Sequence, residues 1–138
     1  MFLSAKAEYA CLALLELAAR HGHPKPIRLS DVAEKHGLKK PFLVQILLQL
    51  KGAGLVASTR GATGGYQLTK EPDEISLWDI LTVVDRQDGS DDRDLTQSAL
   101  TGALNSVWKR ISAAREEILR GTTLADLLPD DLSADYII

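Results

Sequence analysis

Apolar positions in the first half of the chain recur at helical spacing and predict three helices. The first is expected over about residues 5–20 with Ser4 as its N-cap, and Ser30 is expected to cap the second. Gly37 would stop the second helix, and Pro41 lies in the first turn of the third. Two helices separated by a short turn at Gly37 predict a helix-turn-helix.

The third helix has a one-sided pattern. Its predicted core stripe follows the spacing i, i+3, i+4, i+7 and consists of Leu43, Ile46, Leu47 and Leu50. The opposite face would present Val44, Gln45 and Leu48. This helix is the expected recognition helix of the pair.

A β-hairpin is predicted directly after the third helix. Residues 55–59 and 66–69 alternate as short strands, and residues 60–65 (RGATGG) form a turn that contains three glycines. A hairpin in this position is a wing, and its small, flexible tip with Arg60 beside it suits insertion along a phosphate-lined groove.

The second half predicts one short and one long helix. Residues 76–79 (SLWD) form a capping box that opens a helix through Val84, and the aspartate-rich residues 85–94 are expected to be a loop. Apolar residues of the long helix recur at intervals of 4, 3, 4, 3 and 4 residues, which forms an a/d seam. We interpret this seam as a dimer interface, and packing of the helix onto its own domain is the alternative. The seam consists of Leu100, Leu104, Val107, Ile111, Ala114 and Ile118.

The expected fold class is mostly α with a small β-hairpin wing. The domain organisation predicted is a winged helix-turn-helix DNA-binding domain over residues 1–84, an acidic loop over 85–95, a dimerisation helix over 96–121, and a short helix with a C-terminal tail over 122–138.

Charge is divided unevenly along the chain. Residues 1–70 hold ten basic and four acidic side chains, whereas residues 71–138 hold six basic and fifteen acidic ones, which together give the net charge of -3. The basic half is expected to face a polyanion, and double-stranded DNA fits the predicted motif.

Each candidate DNA contact has a distinct chemical task. Gln45 could donate to and accept from adenine in the major groove, and Val44 could touch a thymine methyl. Lys39, Lys40 and Lys51, at the ends of the third helix, would contact phosphates and set the register.

Composition narrows the remaining function classes. No secretory leader or membrane-spanning run is visible, and the single cysteine, Cys11, fits a reducing cytoplasm, so a cytoplasmic protein without a membrane partner is expected. Residues 61–65 lack the lysine of a P-loop, and no nucleophile–base pair is apparent, so no enzyme is expected. His21 and His23 lack a third ligand nearby, and no metal site is expected.

Several motifs resemble those of the Rrf-two family of winged-helix regulators. They are residues 4–10 (SAKAEYA), 42–47 (FLVQIL), 54–66 (GLVASTRGATGGY), 75–80 (ISLWDI) and 122–127 (TTLADL), so the similarity covers nearly the whole chain. It implies a homodimer built on the long helix, with the recognition helix and wing on DNA. The DNA-contact residues expected from motif and resemblance together are Ser4, Lys6, Tyr9, Lys39, Lys40, Val44, Gln45, Lys51, Arg60, Thr63, Gly64, Gly65 and Tyr66.

Two departures from the family pattern affect the expected function. Family members usually carry a glutamate at the position of Val44, so the base preference is expected to differ here. Cluster-binding members carry three cysteines in the segment that corresponds to residues 86–98, which has none, and thiolates are the ligands of iron–sulfur clusters. No cofactor is therefore expected, as in the family's cluster-free, CymR-like branch.

The resemblance also suggests a protein partner. Cluster-free members resembling CymR are governed by the enzyme cysteine synthase, which accepts C-terminal tails ending in isoleucine. Here the tail residues Tyr136, Ile137 and Ile138 could enter that enzyme, linking a DNA-binding repressor to cysteine metabolism; a packed or frayed tail is the alternative. A winged-helix protein-interaction module and a small-metabolite-sensing regulator remain as alternative functions.

Overall fold

Helices form most of the chain in the computed structural model, which describes residues 4–61, 64–85 and 97–129. The described α-helices are α1 (Ala5–Ala19), α2 (Leu29–His36), α3 (Lys40–Gly52), α4 (Leu77–Val84), α5 (Ala99–Gly121) and α6 (Leu124–Leu127). Strands β1 (Val56–Thr59) and β2 (Gly65–Leu68) pair after α3, and a 3-10 turn covers Pro72–Glu74. The acidic loop and the C-terminal tail lie almost entirely outside the described residues.

Hydroxyl side chains begin four of the described helices. The Oγ of Ser4 accepts from the backbone N–H of Ala7, and Ser98 caps α5 in the same way. Ser76 and Thr123 each form a capping box, with the Asp three residues on returning a bond to the cap backbone. The caps at Ser4 and Ser76 confirm the sequence prediction, and in each one a side chain satisfies an orphan amide at the start of the helix.

The predicted start of α2 was wrong. The helix begins at Leu29 after Arg28, so Ser30 already lies inside it. The carbonyl of Arg28 accepts from the N–H groups of Asp31 and Val32, while the preceding Ile27 is held by backbone pairing with Tyr66. This long-range pairing fixes where the helix can begin, which local propensity at Ser30 could not show.

The core lies between α1, α3 and α4. The predicted stripe on α3 is confirmed, since all four of its side chains are at most 1% exposed. The stripe belongs to one core cluster with residues of α1 and α4, with Ile75 before α4, and with Leu124 at the start of α6. The largest fully buried apolar side chains are Leu14, Leu43, Ile46, Leu47, Leu50, Ile75, Ile80, Leu81 and Leu124.

A buried carboxylate joins α1 to α2. The Glu16 side chain is 1% exposed, and its Oε2 accepts from Arg20 Nε at 3.0 Å. Its Oε1 lies 2.9 Å from His36 Nε2 and 3.4 Å from Lys35 Nζ. Because a buried charge is costly unless it is paired and hydrogen-bonded, these contacts make the placement of α2 against α1 specific.

The wing is a two-stranded antiparallel hairpin extended by one residue of the α1–α2 connection. Val56 pairs with Leu68 and Thr59 with Gly65. On the outer edge of β2, the N–H of Ile27 donates to the carbonyl of Tyr66 at 2.9 Å, and the N–H of Tyr66 returns a bond at 2.8 Å. The wing is therefore fixed to the residue that leads into α2.

Among the described residues, helix α5 is anchored to the rest of the chain near its C-terminal end. Leu119 is the one buried side chain on it, and the Arg120 guanidinium lies 4.8 Å from the centre of the Trp78 ring. Beyond the helix, the N–H of Leu77 donates to the carbonyl of Thr122 at 2.9 Å. The a/d seam is not covered by the described part of the same chain, and exposures run from 43% at Val107 to 84% at Leu100.

Candidate nucleic-acid interface

The solvent face of α3 carries the two predicted base contacts, Val44 and Gln45, together with Leu48. Val44 is 38% exposed, Gln45 is exposed, and Leu48 is 57% exposed. The buried stripe on the opposite side of the helix holds this face outward. A helix that presents an exposed face in this way can enter the major groove of B-DNA.

The two helices of the helix-turn-helix begin differently from the other described α-helices. Their N-cap residues are Arg28 for α2 and Lys39 for α3, and neither makes a side-chain cap hydrogen bond. A missing hydroxyl or carboxylate cap typically costs about 1 kcal/mol, and a cation is unfavourable at the positive end of the helix dipole. An anion such as a DNA phosphate at the start of α3 would satisfy the orphan amides there and lie close to the Lys39 side chain.

Exposed cations surround α3 and the wing. Lys39 and Lys40 lie at the start of α3, where no acidic residue occupies the first turn, and Lys51 lies in its last turn. Arg60 follows β1 directly and is also exposed. These four side chains have the charge and accessibility that phosphate contacts require.

Near the N-terminus of α1, two predicted DNA-contact residues, Ser4 and Tyr9, also make contacts within the protein. Ser4 Oγ donates to the carboxylate of Asp85, at 2.7 Å from Oδ1 and 2.9 Å from Oδ2. The Tyr9 ring is partly buried and lies edge-on to Phe42, with ring centres 4.9 Å apart. The second contact places the first turns of α1 beside the first turn of α3, with Lys6 half-exposed between Ser4 and Tyr9.

The wing glycines are required by close backbone packing. A Cβ at Gly64 would collide with the carbonyl of Thr59, and one at Gly65 would lie 2.6 Å from the carbonyl carbon of Ile27. The adjoining Tyr66 is partly buried and pairs with Ile27. Gly64 and Gly65 therefore shape the wing, whereas Thr63 at its tip lies outside the described residues.

A small cavity lies between the end of α1 and β2. Its volume is about 210 Å³, and its lining includes Arg20, His21, His23 and Lys25 around apolar Ile27 and Leu68. Pockets that enclose metabolites usually begin near 300 Å³. The cavity is too small to favour the metabolite-sensing alternative.

The histidines and the cysteine have ordinary structural surroundings. His21 Nε2 lies 3.0 Å from Glu71 Oε2, and His23 Nδ1 accepts from the N–H of Lys25 at 3.2 Å. Burial, followed by the charges of Asp85 and Glu8, raises the pKa of the Cys11 thiol from 9.0 to about 11. The thiol is therefore protonated at neutral pH, which opposes a redox role because the thiolate is the reactive form.

No cluster of three potential metal ligands occurs within residues 4–61, 64–85 and 97–129. Over the same ranges, no helix has the length and apolarity needed to cross a membrane.

Comparison with known proteins places this geometry in a defined class. The Rrf2 family model, described as an iron-dependent transcriptional regulator, matches residues 3–130. The HTH-type transcriptional regulator CymR of Bacillus subtilis is 38% identical, over 92% of this chain and 89% of its own. The solved structure of B. subtilis CymR superposes with a TM-score of 0.78 at 37% identity, covering 92% of this chain and 95% of CymR. The structure of T. potens IscR gives the same TM-score at 36% identity, covering 97% and 90% of the two chains.

The protein is a DNA-binding transcription regulator with a winged helix-turn-helix. The chain belongs to the Rrf2 family, as its motifs predicted.

The family description names iron, but this chain lacks the cysteine thiolates that would bind iron as an iron–sulfur cluster. The sequence contains one cysteine, and its protonated thiol lies on α1 among core residues. Iron–sulfur clusters need several thiolates around one site. A cluster held by cysteines of one chain therefore does not fit.

Sequence reasoning missed two features of the interface. The Arg28 N-cap of α2 was missed because Ser30, two residues later, is of a residue type that commonly caps helices. Leu48 was placed on the outer face but was not included among the DNA contacts, although it is more exposed than Val44. The other leucines of α3, at residues 43, 47 and 50, are buried. The exposure of Leu48 therefore identifies it as a candidate DNA contact.

Proposed function

We propose that this protein is a homodimeric, cytoplasmic repressor that binds a two-half-site operator through α3 and the wing. The observation that carries the proposal is the start of α3, where the N-cap Lys39 makes no side-chain cap hydrogen bond and no acidic residue occupies the first turn. The four described α-helices outside the helix-turn-helix begin instead at Ser or Thr.

The uncovered seam on α5 supports the dimer. Twenty-three residues give a helix about 34 Å long, and its a/d positions form one apolar line. Trp108, which is 48% exposed, adjoins this line at an e position. A second copy of α5 has the same spacing and would bury the seam in a symmetric interface.

Dimerisation sets the arrangement of the operator. Two copies related by a twofold axis present two recognition helices, and helix-turn-helix dimers bind half-sites separated by about one helical turn of DNA. An inverted repeat is therefore the expected form of the binding site.

We further propose that the regulator works without an iron–sulfur cluster. With one cysteine on α1, the chain needs a different signal from that of cluster-dependent relatives. CymR is described as a global cysteine regulator, and this chain shares its fold and over a third of its residues. A role in sulfur and cysteine metabolism is the corresponding proposal here.

DNA affinity is expected to fall steeply as salt rises. Four phosphate contacts from each subunit of the dimer would give a slope of log K against log salt of about -7, or roughly a 10⁴-fold loss between 50 and 200 mM. Lys39→Ala removes one contact per subunit and should make the slope shallower by about 2. Binding of a random-sequence duplex by the full chain, followed by fluorescence anisotropy, measures both values.

Lys109→Ala is the matched control because it removes an exposed lysine from α5 without touching the helix-turn-helix. It should leave the slope unchanged. Weak binding to duplex at every salt concentration would contradict the proposal and favour the protein-interaction module.

The proposed protein partner is cysteine synthase, bound by residues Tyr136, Ile137 and Ile138. These lie outside the described part of the chain, and the support comes from their composition: aspartate precedes an aromatic and two aliphatic side chains. Removal of Ile137 and Ile138 should abolish capture of cysteine synthase in a pull-down. DNA affinity without the enzyme should not change, and undiminished capture would disprove the tail as the binding segment.

A further inference from the structure

The exposed face of α3 is uncharged over most of its length. Between Lys40 and Lys51 the helix has no Asp, Glu, Lys or Arg. The exposed side chains in this stretch are Pro41, Val44, Gln45, Leu48 and Gln49. This stretch has no carboxylate to accept from cytosine N4 and no cation to bind guanine O6 and N7.

Leu48 lies near the centre of that face. Successive residues of an α-helix turn by about 100°, and the direction opposite the buried stripe falls between Leu48 and Gln45. Val44 is one turn before Leu48 and somewhat closer to the core, which agrees with exposures of 38% and 57%. The two aliphatic side chains form a short apolar strip beside the Gln45 amide.

The chemistry of the major groove gives this strip a specific target. Among the base edges exposed there, the C5-methyl of thymine is the apolar group, whereas the other distinguishing atoms are hydrogen-bond donors or acceptors. An exposed Val at i and an exposed Leu at i+4 can bury thymine methyl groups, which gives a favourable hydrophobic free energy. Cytosine lacks the methyl group and offers no comparable contact.

We propose that Val44 and Leu48 read thymine through its C5-methyl group, with Leu48 as a specificity-determining residue. Gln45 reads an adjacent adenine, so the centre of each half-site consists of A·T pairs with thymines facing the strip. This inference rests on the proposed function, since it requires α3 to lie in the major groove.

The test begins with duplexes selected by the full chain from a random pool. One selected duplex is then synthesised with deoxyuridine in place of each thymine in turn, which removes one methyl and keeps the pairing. Each contacted thymine should lose about fourfold in affinity, the change that corresponds to one buried methyl. Uncontacted thymines should show no loss.

Variants of α3 assign the effect to side chains. Leu48→Ser should remove the thymine-over-uracil preference at one position of each half-site, and Val44→Ser should remove it at another. Gln49→Ala, at an exposed position on the flank of the same helix, is the matched control and should retain both preferences. Thermal unfolding checks that all three variants fold.

The outcomes separate this inference from the proposed function. Selected duplexes that bind equally well with uracil at every position would overturn methyl readout while leaving DNA recognition in place. A preference that persists in both Leu48→Ser and Val44→Ser would also overturn it, because the methyl would then act through DNA shape. Failure to enrich any sequence would overturn the proposed function itself.

Discussion

Ile111→Glu is expected to convert the protein to a monomer and to weaken binding to a two-half-site duplex on the order of 100-fold. Ile111 lies near the middle of the α5 seam and is 49% exposed in the single chain. In a dimer its replacement would bury an unpaired carboxylate, which costs several kcal/mol. Loss of the dimer removes the avidity that joins two half-site contacts, commonly worth a factor of 10² or more.

Ala113→Glu is the control because it adds the same charge two residues away, on the side of α5 turned from the seam. Analytical ultracentrifugation and DNA titration of both variants distinguish a seam effect from a general charge effect. A dimeric Ile111→Glu protein with undiminished DNA affinity would contradict the proposed interface.

The seam also illustrates what the sequence could predict. The spacing of Leu100, Leu104 and Val107 predicts which side of α5 is apolar. A long helix whose apolar side faces solvent in the single chain is most simply covered by a second helix. The same local logic predicted the core stripe of α3 and the hydroxyl caps at Ser4 and Ser76. In each case, residues within one or two turns of each other determine the outcome.

Features that depend on distant parts of the chain were not predicted. The start of α2 follows from the pairing of Ile27 with Tyr66, which are 39 residues apart, and not from the local propensity of Ser30. The ion-pair cluster of Glu16 with His36 likewise joins two helices. Sequence reasoning therefore predicted the candidate DNA-contact residues individually, while the start of α2 at Arg28 became visible only in three dimensions.

The junction between the wing and α2 allows a further test with a large expected effect. Gly65→Ala should destabilise the fold by at least about 2 kcal/mol and weaken DNA binding at least tenfold. The new Cβ would lie 2.6 Å from the Ile27 carbonyl carbon and 3.1 Å from the Arg28 nitrogen. These are backbone atoms, so relief requires opening the Ile27–Tyr66 pair, which displaces both the wing and the N-cap of α2.

Gly102→Ala provides the matched control, because its Cβ would meet nothing within 4 Å and the residue lies inside α5. It should raise stability by about 0.5–1 kcal/mol and leave DNA affinity unchanged. Circular dichroism melting and DNA titration well below the unfolding temperature separate loss of fold from displacement of the interface. If Gly65→Ala has the same unfolding temperature and the same DNA affinity as the parent chain, the Ile27–Tyr66 pair does not hold the wing and α2 together.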